Sequence, residues 1–203
     1  MEVPAEATPS RSAVSRAEIL RSAREEIENK GILGLRVAEV AAGANCSLTQ
    51  IYRYFGDRDG LLAQVLGDYY EEVLDYSYSQ FMRRMKATPQ ISIEDLIQNL
   101  PTPTQYAAMS RQEIRLQILA VAGKNPQLRQ RLMEVTQRHA DLWDEGLTYI
   151  EEHLEPGLEI DRRVFTIMLL LQTMYYRTLL GDKGFTDEEY RQFLRDMLRK
   201  NKA

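Results

Sequence analysis

Apolar side chains recur at intervals of three or four residues along most of the chain, and no stretch of useful length alternates apolar and polar residues as a strand does. This spacing places the apolar residues of each segment on one face of a helix. Breaks rich in glycine and proline separate the segments, at Gly31, Gly43–Asn45, Thr88–Pro89, Pro101–Pro103 and Pro156–Gly157. The pattern therefore predicts an all-α protein.

The segment from Arg36 to Leu62 contains two short predicted helices separated by a tight corner. The first helix has an apolar stripe at i, i+3 and i+4, formed by Val37, Val40 and Ala41. Asn45 suits the corner because it takes the left-handed backbone conformation at less cost than most residues. Ser47 and Gln50 have the spacing of a capping box, which predicts the start of the second helix.

The second short helix has two different sides. Ile51 and Phe55 are spaced at i, i+4 and form its apolar side. The opposite side carries Leu48, Thr49, Tyr52 and Arg53. A short, capped helix with a polar and aromatic outer face is the part of a helix-turn-helix that enters the DNA major groove. The segment therefore predicts a helix-turn-helix that binds DNA.

This segment resembles the DNA-binding motif of the tetracycline-repressor (TetR) family of bacterial transcription regulators. The matching residues are Val37, Val40, Ala41, Ala44, Ser47, Ile51, Tyr52, Tyr54, Phe55, Leu61 and Leu62. The sequence departs from the family pattern at Arg36, Asn45, Thr49 and Arg58. The substitution at Thr49 lies in the recognition helix, so a different operator sequence is expected.

The resemblance implies two domains. Residues 15–60 are expected to form a three-helix, helix-turn-helix DNA-binding domain, and residues 61–203 a helical domain for ligand binding and dimerisation. Residues 1–14 contain two prolines and no apolar period, which predicts a disordered tail. A capping box at Ser15–Glu18 predicts the start of the first helix.

The composition is that of a soluble globular protein, but its charge is unusual for a DNA-binding one. The net charge of the 203 residues is −4, so DNA contact must come from the placement of individual cations, hydroxyls and helix N-termini. A single cysteine, Cys46, and the lack of a secretion signal favour the cytoplasm. The most apolar run, residues 164–180, is interrupted by polar residues and predicts a buried helix rather than a membrane span.

The recognition helix and its flanks supply the candidate DNA contacts. Phosphate contacts are expected from Ser47, Tyr52 and Arg58, with Arg36 as a secondary candidate. Base contacts are expected from Thr49, Gln50 and Arg53, although the capping box engages part of Gln50. Tyr54, which belongs to the motif, completes the set of candidate DNA-binding residues.

Eight residues are candidates for a ligand pocket. They are Tyr106, Met109, Leu116, His139, Trp143, Met168, Gln172 and Tyr175. His139 and Trp143 lie one helical turn apart on one face, and Gln172 is a polar residue on an apolar stripe. No lysine or arginine falls on these faces, which predicts a mostly apolar, neutral or aromatic ligand. The alternative is that these residues only fill the core, with His139 a hydrogen-bonded core histidine.

The last two predicted helices are candidates for a homodimer interface. The helix from Asp161 to Leu180 is apolar nearly all round, so it can pack on its own core and still present a second face. Together with the helix that follows Thr186, it is expected to form a four-helix interface, as the resembled family does. The candidate interface residues are Phe165, Leu169, Tyr176, Tyr190, Phe193, Leu194 and Met197.

The expected function is that of a ligand-responsive transcription regulator that binds a palindromic operator as a dimer. A repressor is favoured, with an activator as the alternative. An enzyme is disfavoured because no nucleophile motif, phosphate-binding loop or metal-ligand spacing is present, and no cofactor is expected. A helical protein-interaction module with a purely structural helix-turn-helix is the remaining alternative.

Overall fold

The computed structural model describes the backbone of residues 11–100, 112–165 and 186–198, and the side chains of residues 16–100, 114–165 and 186–198. The helices are α1 (Arg11–Gly34), α2 (Val37–Gly43), α3 (Leu48–Phe55), α4 (Arg58–Lys86), α5 (Ile93–Asn99), α6 (Gln112–Ala122), α7 (Pro126–Glu152) and α8 (Asp187–Leu198). Within these ranges the extended pairing is limited to an isolated bridge between Ile91 and Leu154. The all-α prediction is confirmed.

Helix α1 is longer than the sequence predicts. It begins at Arg11, so Arg11–Val14 belong to the helix rather than to the tail expected for residues 1–14. No proline or glycine separates these residues from Ser15, and nothing in the sequence stops the helix there. At Gly31 the backbone leaves helical geometry with φ 73°, which confirms the predicted break.

The described chain divides into two compact units, and the first contains the helix-turn-helix. It comprises Met1–Glu71 together with Gln117–Val135. Helix α1 packs on α2, and α2 packs on α3. The buried core of this unit includes Ile19, Ala23, Val40, Ile51, Leu61 and Leu66. Residues 15–60, the predicted DNA-binding domain, lie wholly within this unit.

The first unit also contains the beginning of α7, which lies far away in sequence. Asn125 caps α7 by accepting a hydrogen bond from the Leu128 amide at 2.9 Å, as its position before Pro126 predicts. Its side-chain amide donates to the Asp59 carbonyl oxygen at 3.0 Å. Sequence spacing does not reveal this second contact.

The second unit comprises Glu72–Leu116 and Thr136–Ala203. Helices α5 and α8 pack together in it, and Arg195 forms a two-pronged ion pair with Glu94 at 2.9 Å on both oxygens. Side chains of both helices join a buried cluster with parts of α4 and α7 and with Phe165. Its other members include Phe81, Met85, Leu96, Ile97, Leu147, Ile150, Leu194 and Leu198. Among the described helices, none has the length and apolar character needed to cross a membrane.

Candidate functional site

The corner between α2 and α3 has the geometry that the sequence predicts. Asn45 has φ 50°, in the left-handed region. The amide of Cys46 donates to the Ala41 carbonyl oxygen at 2.9 Å and closes the turn. The corner therefore fixes the direction in which α3 leaves α2.

Both hydrogen bonds of the predicted capping box are present at the start of α3. The Gln50 amide donates to Ser47 Oγ at 3.2 Å, and the Ser47 amide donates to Gln50 Oε1 at 3.2 Å. Ile51 follows directly and is fully buried. The helix is thus anchored by one apolar side chain and a local cap. The side-chain oxygen of Gln50 is engaged in that cap.

The outer side of α3 is exposed, as predicted. Leu48, Thr49, Tyr52 and Arg53 are all exposed, and Tyr52 has 44% of its surface accessible. The guanidinium of Arg53 lies over the Tyr54 ring, 5.2 Å from its centroid. Tyr54 is half-buried and meets Phe55 edge to face, with 6.3 Å between ring centroids. Stacking on a half-buried ring restricts where the Arg53 charge can point.

Three further cations flank the helix-turn-helix. Arg36 is exposed and immediately precedes α2. Arg58 is half-buried, and its Nη2 lies 3.5 Å from the Leu35 carbonyl oxygen. Arg16 of α1 lies 5.5 Å from the centroid of the Phe55 ring and donates to Gln64 Oε1 at 2.8 Å. Arg16 could not be assigned to the site from the sequence, because its contacts join segments far apart in the chain.

Gly60 sets the spacing between α3 and α4, a role that no sequence pattern indicates. A Cβ at this position would lie 1.9 Å from the Phe55 carbonyl oxygen, which is backbone and cannot move aside. The Gly60 amide donates to Asp57 Oδ1 at 2.7 Å, so Asp57 caps α4. Only a residue without a side chain permits this close approach.

Two of the predicted ligand residues lie one turn apart on α7, and each contacts a residue of α4. His139 is buried on α7, with its Nε2 2.8 Å from Asp75 Oδ1 of α4. Trp143, one turn further along α7, is half-buried and packs edge to face on Tyr78 with 5.1 Å between centroids. Leu116 is partly exposed on α6. The remaining five candidates, Tyr106, Met109, Met168, Gln172 and Tyr175, lie outside the described residues.

Two of the residues predicted for the dimer interface lie in the core of the chain instead. Phe165 and Leu194 are fully buried within the core of their own chain, so neither has surface left for a partner. An apolar stripe does not distinguish the chain's own core from an interface. Tyr190 is half-buried against the same core, whereas Phe193 and Met197 are exposed. Leu169 and Tyr176 lie outside the described residues.

Among the described residues, no group of histidine, cysteine, aspartate and glutamate side chains is arranged to hold a metal ion.

The capped α3 with its exposed polar and aromatic side, joined to α2 by a left-handed corner, defines a helix-turn-helix DNA-binding domain. Residues 19–65 match the family model of the bacterial regulatory proteins, tetR family. This segment of the chain is therefore a TetR-family DNA-binding domain, which confirms the resemblance seen in the sequence. Proteins of this family are DNA-binding transcriptional regulators.

Solved structures show that the fold extends beyond this domain. A protein from Mesorhizobium loti assigned to the TetR family shares 20% identity and a TM-score of 0.59, over 93% of this chain and 95% of that one. The multidrug-binding protein EbrR, solved with imidazole, shares 21% identity and a TM-score of 0.58 over the full length of both chains. A protein from Streptomyces coelicolor assigned as a transcriptional regulator shares 16% identity and a TM-score of 0.58, over 92% and 99%. No curated protein matches the chain significantly.

Proposed function

We propose that the protein is a ligand-responsive transcriptional repressor that binds a palindromic operator as a homodimer and leaves it when a small, mostly apolar molecule binds. The observation that carries the proposal is the outer side of α3. Its exposed residues include a hydroxyl, a phenol and a guanidinium on a helix whose inner side is anchored by Ile51. These groups can reach phosphates and base edges from within a major groove.

The roles of the side chains follow from how each is held. Thr49 and Arg53 lie on the exposed side of α3 and are assigned to base edges. Gln50 retains its assignment to bases through its amide nitrogen only, because its oxygen belongs to the capping box. Phosphate contacts are assigned to Ser47, Tyr52, Arg58 and Arg36. Tyr54 supports Arg53 through the ring stack.

The homodimer is assigned to the outer side of α8, together with the helix that the sequence predicts from Asp161 to Leu180. Phe193 and Met197 are spaced at i, i+4 on α8 and are both exposed, whereas Leu194 and Leu198 fill the core. Large apolar residues that cluster on one exposed helix face are typical of an interface. A two-fold axis gives each half of a palindromic site the same recognition helix.

The ligand is assigned to the second compact unit, near His139 and Trp143. The structural likeness to EbrR, a protein named for multidrug binding, supports a small effector for this chain. Binding would lower operator affinity by the ratio of ligand affinities for the two states of the protein. Because coupling between two binding sites is reciprocal, operator binding would weaken ligand binding by the same factor.

The proposal is tested with two exposed tyrosines. Tyr52 lies on α3 and Tyr76 on α4, with 44% and 56% of their surfaces exposed. Tyr52→Ala is expected to weaken binding to an operator selected from genomic fragments by about tenfold or more, in line with ~1.5–3 kcal/mol for a hydrogen bond to a charged group such as a phosphate. Tyr76→Ala should leave it unchanged. Equal gel-shift midpoints for both variants would refute DNA recognition by α3 and favour a protein-interaction module.

A further inference from the structure

The pair formed by His139 and Asp75 fixes one ring nitrogen of the histidine. Nε2 lies 2.8 Å from Asp75 Oδ1, and 5% of the His139 surface is exposed, whereas most of the Asp75 side chain is exposed. A carboxylate accepts hydrogen bonds and does not donate them, so Nε2 carries the proton and donates it. The pair therefore sets both the orientation and the tautomer of the ring.

The other ring nitrogen, Nδ1, is buried and makes no hydrogen bond with any residue that the structure describes. Buried polar atoms nearly always have a partner, because leaving one unpaired costs free energy. With the proton on Nε2, a neutral imidazole presents Nδ1 as an acceptor lone pair. This atom therefore needs a donor that the described part of the chain does not provide.

The second histidine provides an internal contrast. The Nδ1 of His153 lies 2.8 Å from the Tyr149 carbonyl oxygen, and the two rings stack with 4.0 Å between centroids. A carbonyl also only accepts, so His153 carries its proton on Nδ1. The two histidines of the chain thus hold opposite tautomers, and only His139 has a buried acceptor without a partner.

Aromatic side chains form the next turn beside the His139–Asp75 pair. Trp143 follows His139 by four residues on α7, and Tyr78 follows Asp75 by three residues on α4. Their rings meet at 5.1 Å, and Trp143 also packs on Phe81 at 5.4 Å. The turns of α4 and α7 that follow the pair are therefore occupied by aromatic side chains.

We propose that Nδ1 of His139 is the polar contact point for the effector, and that the effector is a neutral molecule that donates an O–H or N–H from an apolar or aromatic body. This inference rests on the proposed ligand-responsive function and specifies the chemistry of its ligand. A molecule that can only accept hydrogen bonds leaves Nδ1 unpaired and gains nothing from this atom. An anion would place a second negative charge near the Asp75 carboxylate, and the repulsion between the two charges would disfavour its binding.

The first test measures the tautomers in the ligand-free protein. Long-range proton–nitrogen correlation spectra of ¹⁵N-histidine-labelled protein should show a protonated Nε2 and a bare Nδ1 for His139, and the reverse for His153. The variant His153→Gln assigns the two sets of signals. A protonated Nδ1 on His139 would overturn the proposal, because that atom would then need an acceptor rather than a donor.

The second test uses two probes with the same apolar body. 4-Phenylphenol carries a donor O–H, and its methyl ether, 4-methoxybiphenyl, does not. We expect 4-phenylphenol to shift the Nδ1 signal of His139 and to bind at least about tenfold more tightly than the ether by calorimetry, as expected for one buried hydrogen bond. An unshifted Nδ1 signal, or equal binding of the two probes, would contradict the assignment.

The variant His139→Phe keeps a ring of similar size and removes both nitrogens, so the affinity ratio of the two probes should fall to about one. His153→Gln, the control, should keep the ratio. The spectra of the unmodified protein test the inference even if His139→Phe does not fold.

Operator gel shifts of the same protein without probe separate this inference from the proposed function. If the protein binds the operator but 4-phenylphenol does not shift the His139 signal, only the effector chemistry is refuted. If the His139 signal shifts but the protein does not bind the operator, the repressor function is refuted.

Discussion

Ser22 of α1 and Gly43 of α2 approach so closely that a Cβ on Gly43 would lie 2.3 Å from Ser22 Oγ. The same hydroxyl is buried and donates to the Val40 carbonyl oxygen at 3.0 Å. The two helices that support the recognition helix thus meet through a glycine and a small polar side chain. Their distance depends on both residues.

Gly43→Ala should therefore destabilise the protein by about 1–3 kcal/mol, the usual cost of overpacking, despite the higher helix propensity of alanine. Ser22→Ala should cost about 1 kcal/mol through its lost hydrogen bond. The double variant should cost less than the sum of the two, because removing Oγ also removes the atom that obstructs the new methyl group. Chemical unfolding of the four proteins measures this coupling, and strictly additive losses would argue against the close approach.

Gly60 and Gly67 of α4 both lack space for a side chain, but different atoms obstruct it at the two positions. A Cβ on Gly60 meets the Phe55 carbonyl oxygen at 1.9 Å, whereas one on Gly67 meets the flexible Arg131 stem at 2.4 Å. Gly60→Ala should lower the free energy of unfolding by several kcal/mol and reduce DNA binding, because backbone must shift. Gly67→Ala should have the smaller effect on both measurements. The reverse order would show that Arg131, held by Asp68 and Glu71, is the more rigid neighbour.

The ion pair between Arg195 and Glu94 gives a pH dependence to the contact of α8 with α5. Hydrogen bonds from Arg195 and Gln98 lower the pKa of the Glu94 carboxyl to about 2, from its usual 4.5. Because the folded pKa is lowered, this pair stabilises the fold above pH 4.5 and loses that contribution as the pH falls toward 2. Arg195→Gln should raise the pKa of Glu94 toward 4.5, measured by carboxyl NMR titration. An unchanged value would mean that the ion pair does not form in solution.

Two exposed methionines test the proposed dimer interface. Met197 lies on α8 beside Phe193, and Met133 lies on α7 in the first unit, with 42% and 50% of their surfaces exposed. The double variant Phe193→Ser, Met197→Ser should shift sedimentation toward monomer without loss of folded structure, because neither side chain fills the core. Met133→Ser should leave the mass unchanged. A dimer that persists in the double variant, or a monomer at micromolar concentration before any substitution, would exclude this interface.

Local chemistry explains which parts of the structure could be predicted from the sequence. The capping residues Ser47, Ser92, Asn125 and Thr186 each bond an amide three residues ahead, so short spacing alone reveals them. Asn45 is equally local. These features predicted the helix-turn-helix and most helix boundaries correctly.

Contacts between distant segments could not be predicted in this way. The hydrogen bond from Asn125 to Asp59 connects the starts of α7 and α4 within the first unit, and no periodicity indicates it. Phe165 and Leu194 lie on apolar stripes that fit an interface and a core equally well, and only the fold shows that they belong to the core. The unpaired nitrogen of His139 depends on its contact with Asp75 and was likewise hidden in the sequence.

The central claim, that α3 reads DNA sequence, is tested most directly by measuring base preference with randomised operator libraries for the unmodified protein, Arg53→Ala and Arg58→Ala. We expect two half-sites whose centres lie about 34–36 Å apart. Arg53→Ala should relax preference at one position in each half-site by ~1–3 kcal/mol. Arg58→Ala should weaken all sequences alike and reduce the salt dependence. An unchanged base preference in Arg53→Ala, or no preference in the unmodified protein, would contradict the claim.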